Sequence, residues 1–219
     1  GRVSLVRALG RFARPAPAAG PGGAAACELC AAPASEPHPH VVDLEARALR
    51  CACLTCSRLF AQPGAGARFR TVPDRVVAEP GPGPDAAEWA ALGIPVRLAF
   101  VFRSSRSGRW AVSFPGPAGT VEGDLPQEAW ARMARTLPLA SRLEPDVEAL
   151  LFRGDRGAPR LEVLLVPIDA CYALAGRLRG AWRGIDGGPG ARAEVDGVIA
   201  ALRARARPLP ALARQEVAP

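Results

Sequence analysis

The feature that most constrains this chain is a cluster of cysteine and histidine residues near its N-terminus. The 219 residues contain six Cys and two His, and seven of these eight side chains fall between residues 27 and 56. They are, in chain order, Cys27, Cys30, His38, His40, Cys51, Cys53 and Cys56. Cys and His are the side chains that bind zinc and iron, and zinc prefers four of them in a tetrahedron. The clustering therefore predicts a metal site.

The outer cysteines form two pairs with the spacing of metal knuckles. Two residues separate Cys27 from Cys30, and two separate Cys53 from Cys56. Residues 41–50, between the pairs, partly alternate apolar and polar side chains, as a strand does. Two such pairs joined by about 20 residues are typical of a zinc ribbon or treble clef. We predict that these four cysteines hold Zn²⁺, with iron as the alternative because tetrahedral thiolates suit both ions.

The segment around the paired cysteines is too short to bury a core of its own. Metal binding supplies the folding energy of small zinc peptides, on the order of 10–16 kcal/mol. We therefore expect this segment to be unfolded without its ion.

His38, His40 and Cys51 exceed the four ligands that one tetrahedral ion needs. In a strand, Cys51 would share a face with Cys53, and His38 with His40. Three interpretations fit this spacing. The three side chains are supporting donors or bystanders, or one of them replaces a cysteine ligand, or they belong to a second or open metal site.

Composition divides the chain into four parts. Residues 1–26 combine a predicted basic amphipathic helix over 2–14 with a linker rich in Pro, Ala and Gly. Residues 27–66 are the metal-binding Cys/His module, and residues 67–207 carry the main hydrophobic core. Residues 208–219 are expected to be a flexible tail.

The third part contains predicted strand pairs separated by helices. Asp85, followed three residues later by Glu88, predicts a capped helix start. The strands are predicted over 96–102, 110–114, 147–152 and 161–166, and longer helices over 126–137, from an Asp169 cap to Trp182, and over 191–207. We therefore predict an α+β fold: a small zinc-ribbon or treble-clef-like module, then an antiparallel-sheet domain with packed helices.

Bulk composition narrows the classes of function. The formal charge is +7, and every basic residue is arginine, which together with abundant Ala, Gly and Pro is typical of a GC-rich genome. Net charge is then weak evidence for nucleic-acid binding. We find no secretory signal and no apolar run near the ~18 residues of a membrane helix. The CxxC spacings then indicate a reducing compartment, and we expect a cytoplasmic protein.

Residues outside the cluster offer little catalytic chemistry. Both histidines lie in the module, so a Ser-His-Asp or Cys-His arrangement elsewhere would have no base. Cys171 falls on an apolar helix face and is expected to be a buried structural cysteine. We interpret Glu144, Asp146 and Glu148 as a solvated face. The sequence therefore predicts no enzyme.

The module resembles the treble-clef HNH nucleases, which carry a CxxC pair, a catalytic His, and a second CxxC pair followed by His. The two cysteine pairs of this chain flank His38 and His40 in that order, but Ser57 stands where the last His would be. The resemblance implies a degenerate nuclease module whose catalytic ion would lack its His ligand. It makes nucleic-acid binding a hypothesis of lower rank.

A second resemblance covers nearly the whole chain. The segments CELC, HPHVVDLEARALRCACLTC, GDLPQEAW, EPDVEALLFRG and VPIDACYALAGRLRGAWRGIDGG resemble an uncharacterised actinobacterial family. Genes of that family are found among those of uptake [NiFe] hydrogenases. No activity is established for it, so the resemblance implies a setting, hydrogenase assembly or electron delivery, and no mechanism.

These observations predict a non-enzymatic metal-binding accessory protein that works through protein contacts. Hydrogenase subunits or maturation factors are the expected partners. An iron electron-transfer protein, or one that delivers iron or nickel, is the first alternative. A nucleic-acid-binding module derived from an HNH-type nuclease is the second.

Overall fold

The computed structural model describes residues 25–61, 68–116, 119–155, 157–183 and 187–209. The chain divides into two compact units, Gly1–Asp74 and Arg75–Pro219. Below, the module means the described residues up to Asp74, and the larger unit means those from Arg75. The helix predicted over 2–14 lies outside the described residues, as does most of the predicted tail.

The described part of the module is a three-stranded antiparallel sheet with a short helix. Its strands are β1 (His40–Asp43), β2 (Ala48–Cys51) and β3 (Phe69–Thr71), in the order β2–β1–β3. Helix α1 (Leu54–Phe60) follows β2 closely and contacts β1 and β3. Because β3 pairs with β1, residues just after 66 belong to the sheet of the module.

Residues 41–50 form a tight hairpin, whereas their alternation predicts a single strand. Asp43, at the end of β1, accepts hydrogen bonds from the backbone N–H groups of Glu45 at 3.2 Å and Ala46 at 3.0 Å. Arg47 then takes a positive φ of 51°. An Asp side chain that bonds to the backbone just ahead of it favours a turn, and the alternation of apolar residues does not reveal this.

The described part of the larger unit contains a seven-stranded sheet. Its strands are β4 (Val77–Ala78), β5 (Leu98–Arg103), β6 (Trp110–Gly116), β7 (Gly119–Asp124), β8 (Glu148–Arg153), β9 (Glu162–Pro167) and β10 (Arg207–Pro208). Their order is β10–β4–β9–β8–β5–β6–β7. Neighbouring strands are antiparallel except β10, which is parallel to β4. The predicted α+β class is confirmed.

Helices follow the strand pairs, as the sequence predicts. They are α2 (Ala86–Ala90), α3 (Gln127–Ala134), α4 (Ile168–Ala181) and α5 (Gly188–Arg205), with a 3₁₀ turn at Pro138–Ser141. The predicted cap of α2 is present: Asp85 accepts from the N–H of Glu88, and Glu88 accepts from the N–H of Asp85, both at 2.9 Å. Pro167 takes the cap position of α4, so Asp169 lies in the first turn. Among the described helices, none has the length and apolar character needed to cross a membrane.

An extensive apolar core holds the larger unit together. Nearly every side chain of β8 and β9 is buried, so these central strands are covered on both faces. On one face the ring of Phe152 lies 5.1 Å from that of Trp89 and 6.2 Å from that of Trp130, measured between centroids. Helix α4 contacts β8, β9 and α5. This unit is folded by apolar burial.

Glu148 overturns one interpretation of the sequence. It does not lie on a solvated face: it is 0% exposed. Its carboxylate accepts hydrogen bonds from Arg75 Nε at 2.5 Å and Nη2 at 2.8 Å, and from the N–H of Glu144 at 2.8 Å. A carboxylate can be buried when it is paired in this way. The partner arginine is 73 residues away in sequence, which no local pattern reports.

Candidate metal centre

Four cysteine thiols meet in the module. The Sγ atoms of Cys27, Cys30, Cys53 and Cys56 all lie within 4.8 Å of one another, and those of Cys30 and Cys53 are 3.7 Å apart. All four are free thiols; Cys27 is buried, Cys30 is exposed, and the other two are half-buried. Two pairs that are distant in sequence thus bring four sulfurs close enough for one tetrahedral ion.

The first pair lies on a tight turn over residues 27–32. The N–H of Ala31 donates to the carbonyl of Cys27, and the N–H of Cys27 donates to the carbonyl of Ala32, both at 2.8 Å. Ala31 has a φ of 61°, in the left-handed region. A residue with a Cβ pays about 1–2 kcal/mol for that conformation, which glycine adopts freely. The turn that aims the first two thiols therefore carries local strain.

The second pair lies at the start of α1. Cys53 is the N-cap residue of this helix, and its Sγ accepts from the N–H of Cys56 at 3.5 Å. The knuckle, the hairpin and the helix therefore follow one another in the order of a treble clef. A zinc ribbon would instead carry its second pair on another knuckle between strands. Of the two predicted module types, the structure matches the treble clef.

The environment shifts the pKa values of Cys27, Cys30 and Cys56 in different directions. Burial raises the pKa of Cys27, but hydrogen bonds from the backbone, the largest from Cys53, lower it to about 6. Burial and the adjacent thiols raise the pKa of Cys56 to about 12. The backbone of Ala32 lowers the pKa of Cys30, yet neighbouring thiols leave it raised. Several thiolates cannot form together at neutral pH unless a cation offsets their repulsion, which a bound dication does.

An ion pair and a small apolar cluster support these thiols. The buried Asp43 accepts from Arg68 Nε at 3.1 Å and Nη2 at 2.8 Å, and this arginine holds the pKa of the carboxyl below its usual range. The same guanidinium lies 5.0 Å from the ring centroid of Phe69. Beside Cys27, the buried members of the adjoining cluster are Val41 and Ala52. So few buried residues give the module little apolar stabilisation.

The remaining three predicted ligands form a second group. One ligand atom from each of His38, His40 and Cys51 lies within 4.8 Å of the other two, and all three residues are half-buried. Burial, followed by the charges of Glu28 and Glu36, raises the pKa of Cys51. The structure therefore brings all seven predicted residues into one module, as a group of four and a group of three.

Glu28 is a residue of the site that the spacing argument missed. Its Oε2 accepts from the N–H of Cys51 at 2.7 Å, and its own N–H donates to the carbonyl of Cys51 at 2.9 Å. These bonds tie the first knuckle to the end of β2. The signal that could have found it is its position inside the first CxxC pair.

Ser57 occupies the position at which HNH nucleases carry a histidine. Its side chain is buried, and its carbonyl accepts from Thr71 Oγ1 at 2.5 Å. Ser57 therefore joins α1 to β3 and offers no imidazole to an ion.

Cys171 lies far along the chain from both groups and is buried in α4. Burial raises its pKa well above the usual value. A thiol that stays protonated and inaccessible is a poor nucleophile. The expectation that Cys171 is a structural residue is consistent with this environment.

The larger unit also contains a cleft of about 330 Å³, lined by residues of β5, β8, α4 and α5. Arg97, Arg153 and Arg192 contribute positive charge to it, and Asp155 and Asp196 contribute negative charge. Arg153 Nη2 donates to Asp155 at 2.9 Å and to Asp196 at 2.7 Å. Because both aspartates of the cleft are paired with Arg153, its lining indicates no particular class of ligand.

Comparison with known proteins places the chain without assigning it an activity. No curated protein and no solved structure shows a significant match to it. A family model described as a family of unknown function matches residues 26–206, which span the described module and most of the larger unit. The four-thiol group, the three-residue group and strands β4 to β9 of the larger unit all fall inside this match, and the chain belongs to this family of unknown function, DUF5947.

Proposed function

We propose that this protein is a non-enzymatic accessory protein whose N-terminal module binds Zn²⁺ and acts through contacts with another protein. The ligands would be Cys27, Cys30, Cys53 and Cys56. The observation that carries the proposal is the approach of their four Sγ atoms to within 4.8 Å of one another. A closed set of four thiolates is a donor set of structural zinc sites, which stabilise a fold and leave no coordination position for a substrate.

The helix that carries the second cysteine pair supports the contact role. Leu54 and Leu59 on α1 are each 56% exposed. Five residues apart, they lie on different sides of the helix and offer a partner two separate apolar side chains to bury. Because α1 begins at two of the ligands, the ion would fix the positions of both.

The setting that we propose is the maturation or function of a [NiFe] hydrogenase in the cytoplasm, with its subunits or maturation factors as partners. The support is the resemblance of the cysteine-rich segments and of GDLPQEAW to a family encoded among uptake hydrogenase genes. The family match over residues 26–206 is consistent with a resemblance that covers nearly the whole chain.

Affinity purification with matched cysteine variants tests the contact role. The tagged full chain, Cys27→Ser and Cys171→Ala would each be recovered from cells that express a [NiFe] hydrogenase. We expect hydrogenase subunits or maturation factors with the unchanged protein and with Cys171→Ala, which leaves the four-thiol group intact. Cys27→Ser should recover none. Equal recovery by Cys27→Ser would contradict a role for the metal module in binding.

Iron in the same four-thiol group is the second candidate. Tetrahedral thiolates bind Fe as well as Zn, and the exposure of Cys30 would bring an electron close to a partner. Elemental analysis and the visible spectrum of protein purified without oxygen separate the two ions. A colourless protein with zinc supports the structural site, and a coloured protein with iron supports electron transfer.

A further inference from the structure

We propose that His38, His40 and Cys51 form a second metal site, which has three protein ligands and an open fourth position. It would take an exchangeable divalent ion of the first transition row, such as Zn²⁺, Co²⁺ or Ni²⁺. This goes beyond the function proposed above, which requires the four-thiol site alone.

The hairpin places two of the three ligands side by side. His40 and Cys51 are directly opposite each other in the pairing of β1 with β2. The N–H of Ala52 donates to the carbonyl of Pro39 at 2.9 Å, so the hydrogen bond lies outside the His40–Cys51 pair. Such a pair brings its side chains closest, on one face of the ladder. An imidazole and a thiol are therefore held together by backbone register.

His38 completes the group from the segment before β1. Its ring centroid lies 5.0 Å from that of His40, with the two ring planes at 57°. One ligand atom of each histidine and Cys51 Sγ all fall within 4.8 Å of one another. Two imidazoles at this separation can each offer one nitrogen to a common ion.

Nδ1 of His38 is the ring nitrogen that faces a carboxylate. It is buried and has no hydrogen-bond partner within the described structure. It lies 3.2 Å from Glu36 Oε1 without forming a hydrogen bond. Metal-bound histidines commonly have one nitrogen on the ion and a carboxylate near the other, and Glu36 is placed for that role.

The surroundings of Cys51 fix its position and place two carboxylates near it. Glu28 holds the backbone of Cys51 through hydrogen bonds of 2.7 and 2.9 Å. The second oxygen of the same carboxylate lies 3.2 Å from Arg50 Nη1. The hairpin, the first knuckle and the carboxylates of Glu28 and Glu36 therefore lie close to one small group of ligands, and carboxylates are common beside metal-bound histidines.

The chemistry of the three ligands differs from that of the four thiols. The four-thiol group already supplies a full tetrahedron, so these three residues are not needed there. Two imidazoles and one thiol suit borderline ions such as Zn²⁺, Co²⁺ and Ni²⁺. Three protein ligands leave a position for water or for a group of another molecule, as in zinc sites that exchange ligands. We therefore expect the second ion to be the more exchangeable of the two.

Titration of the zinc-loaded full chain with Co²⁺ tests the proposal. Cobalt reports a thiolate ligand through a near-ultraviolet charge-transfer band, and the bound ions are counted by elemental analysis after gel filtration. We expect the unchanged protein to gain one Co²⁺ with a band of single-thiolate intensity, and Cys171→Ala to behave alike. Cys51→Ser should keep its zinc and lose this band, and His38→Gln should bind Co²⁺ at least tenfold more weakly.

The zinc content separates this inference from the function proposed above. Equal Co²⁺ uptake and equal band intensity in the unchanged protein and in Cys51→Ser would overturn the second site, while retained zinc would leave the four-thiol site standing. If Cys51→Ser loses its zinc as well, the module has not folded in that variant. The Co²⁺ affinity of His38→Gln then tests the second site instead. Unchanged Co²⁺ affinity in that variant overturns the proposal.

Discussion

The module and the larger unit of this chain bury very different amounts of apolar surface. Around the four thiols, the buried cluster contains Val41 and Ala52 beside Cys27. In the larger unit, one cluster extends over five sheet strands and three helical segments and includes Trp130 and Phe152. The comparison teaches that one chain can use two sources of stability: coordination where the core is small, and apolar burial where it is large.

The largest expected effect is the loss of the folded structure of the module in Cys27→Ser. The variant removes one of four ligands, and metal binding is worth on the order of 10–16 kcal/mol in small zinc peptides. We expect loss of zinc and rapid proteolysis of residues 25–61, with residues 75–209 protected. Elemental analysis and limited proteolysis measure both effects. Cys171→Ala is the control, and a protease-resistant Cys27→Ser module would refute the proposed dependence on the ion.

Phe152→Ala should destabilise the larger unit and leave the module folded, the reverse of what we expect for Cys27→Ser. This fully buried ring contacts Trp89 and Trp130, and its removal should lower the free energy of unfolding of the larger unit by about 3–5 kcal/mol. The zinc content should not change. Denaturant unfolding measures the loss, and Phe152→Leu, which keeps most of the volume, should cost less. A loss of zinc in Phe152→Ala would mean that the two units do not fold independently.

A smaller loss of stability is expected when the ion pair of the buried Glu148 in the larger unit is broken. Glu148→Gln leaves Arg75 facing a neutral amide, and we expect a loss of about 2–3 kcal/mol in the free energy of unfolding. The value is below that of a fully buried pair because Arg75 is partly exposed. Glu128→Gln, on the outer surface of α3, is the matched control and should change little. Equal stability of the two variants would show that the ion pair contributes nothing.

The smallest expected effect is a gain in the stability of the module. Ala31→Gly should relieve the left-handed backbone at φ 61°, and we expect a net stabilisation of about 0.5–1 kcal/mol after the flexibility of glycine is counted. Zinc should then transfer more slowly to a coloured chelator. Ala32→Gly, one residue on, is the control and should not slow the transfer. Faster release from Ala31→Gly would mean that the turn is not strained.

The same contrast explains what the sequence could predict. Long apolar runs such as VRLAFVF and LEVLLV predicted strands that the structure confirms as β5 and β9. The spacing of the cysteines identified a group that the structure brings together. Both signals are local or repeat with a fixed period, so a single sequence contains them.

The missed features depend on partners that are distant in sequence or on very short segments. Helix α1 spans seven residues, too few for a helical period to emerge. The burial of Glu148 depends on Arg75, and the hairpin within 41–50 depends on a turn made by Asp43. The pairing of His40 with Cys51 follows from that turn. The second group of ligands could therefore be suspected from spacing but placed only by the fold.

Amide hydrogen exchange before and after metal removal tests the central claim most directly. The unchanged full chain would be measured as purified, after treatment with a strong chelator and a reductant, and after Zn²⁺ is restored. We predict that chelation abolishes protection in β1, β2 and α1, leaves β8 and β9 protected, and is reversed by zinc. Protection of β1, β2 and α1 that survives complete removal of the metal would contradict the account.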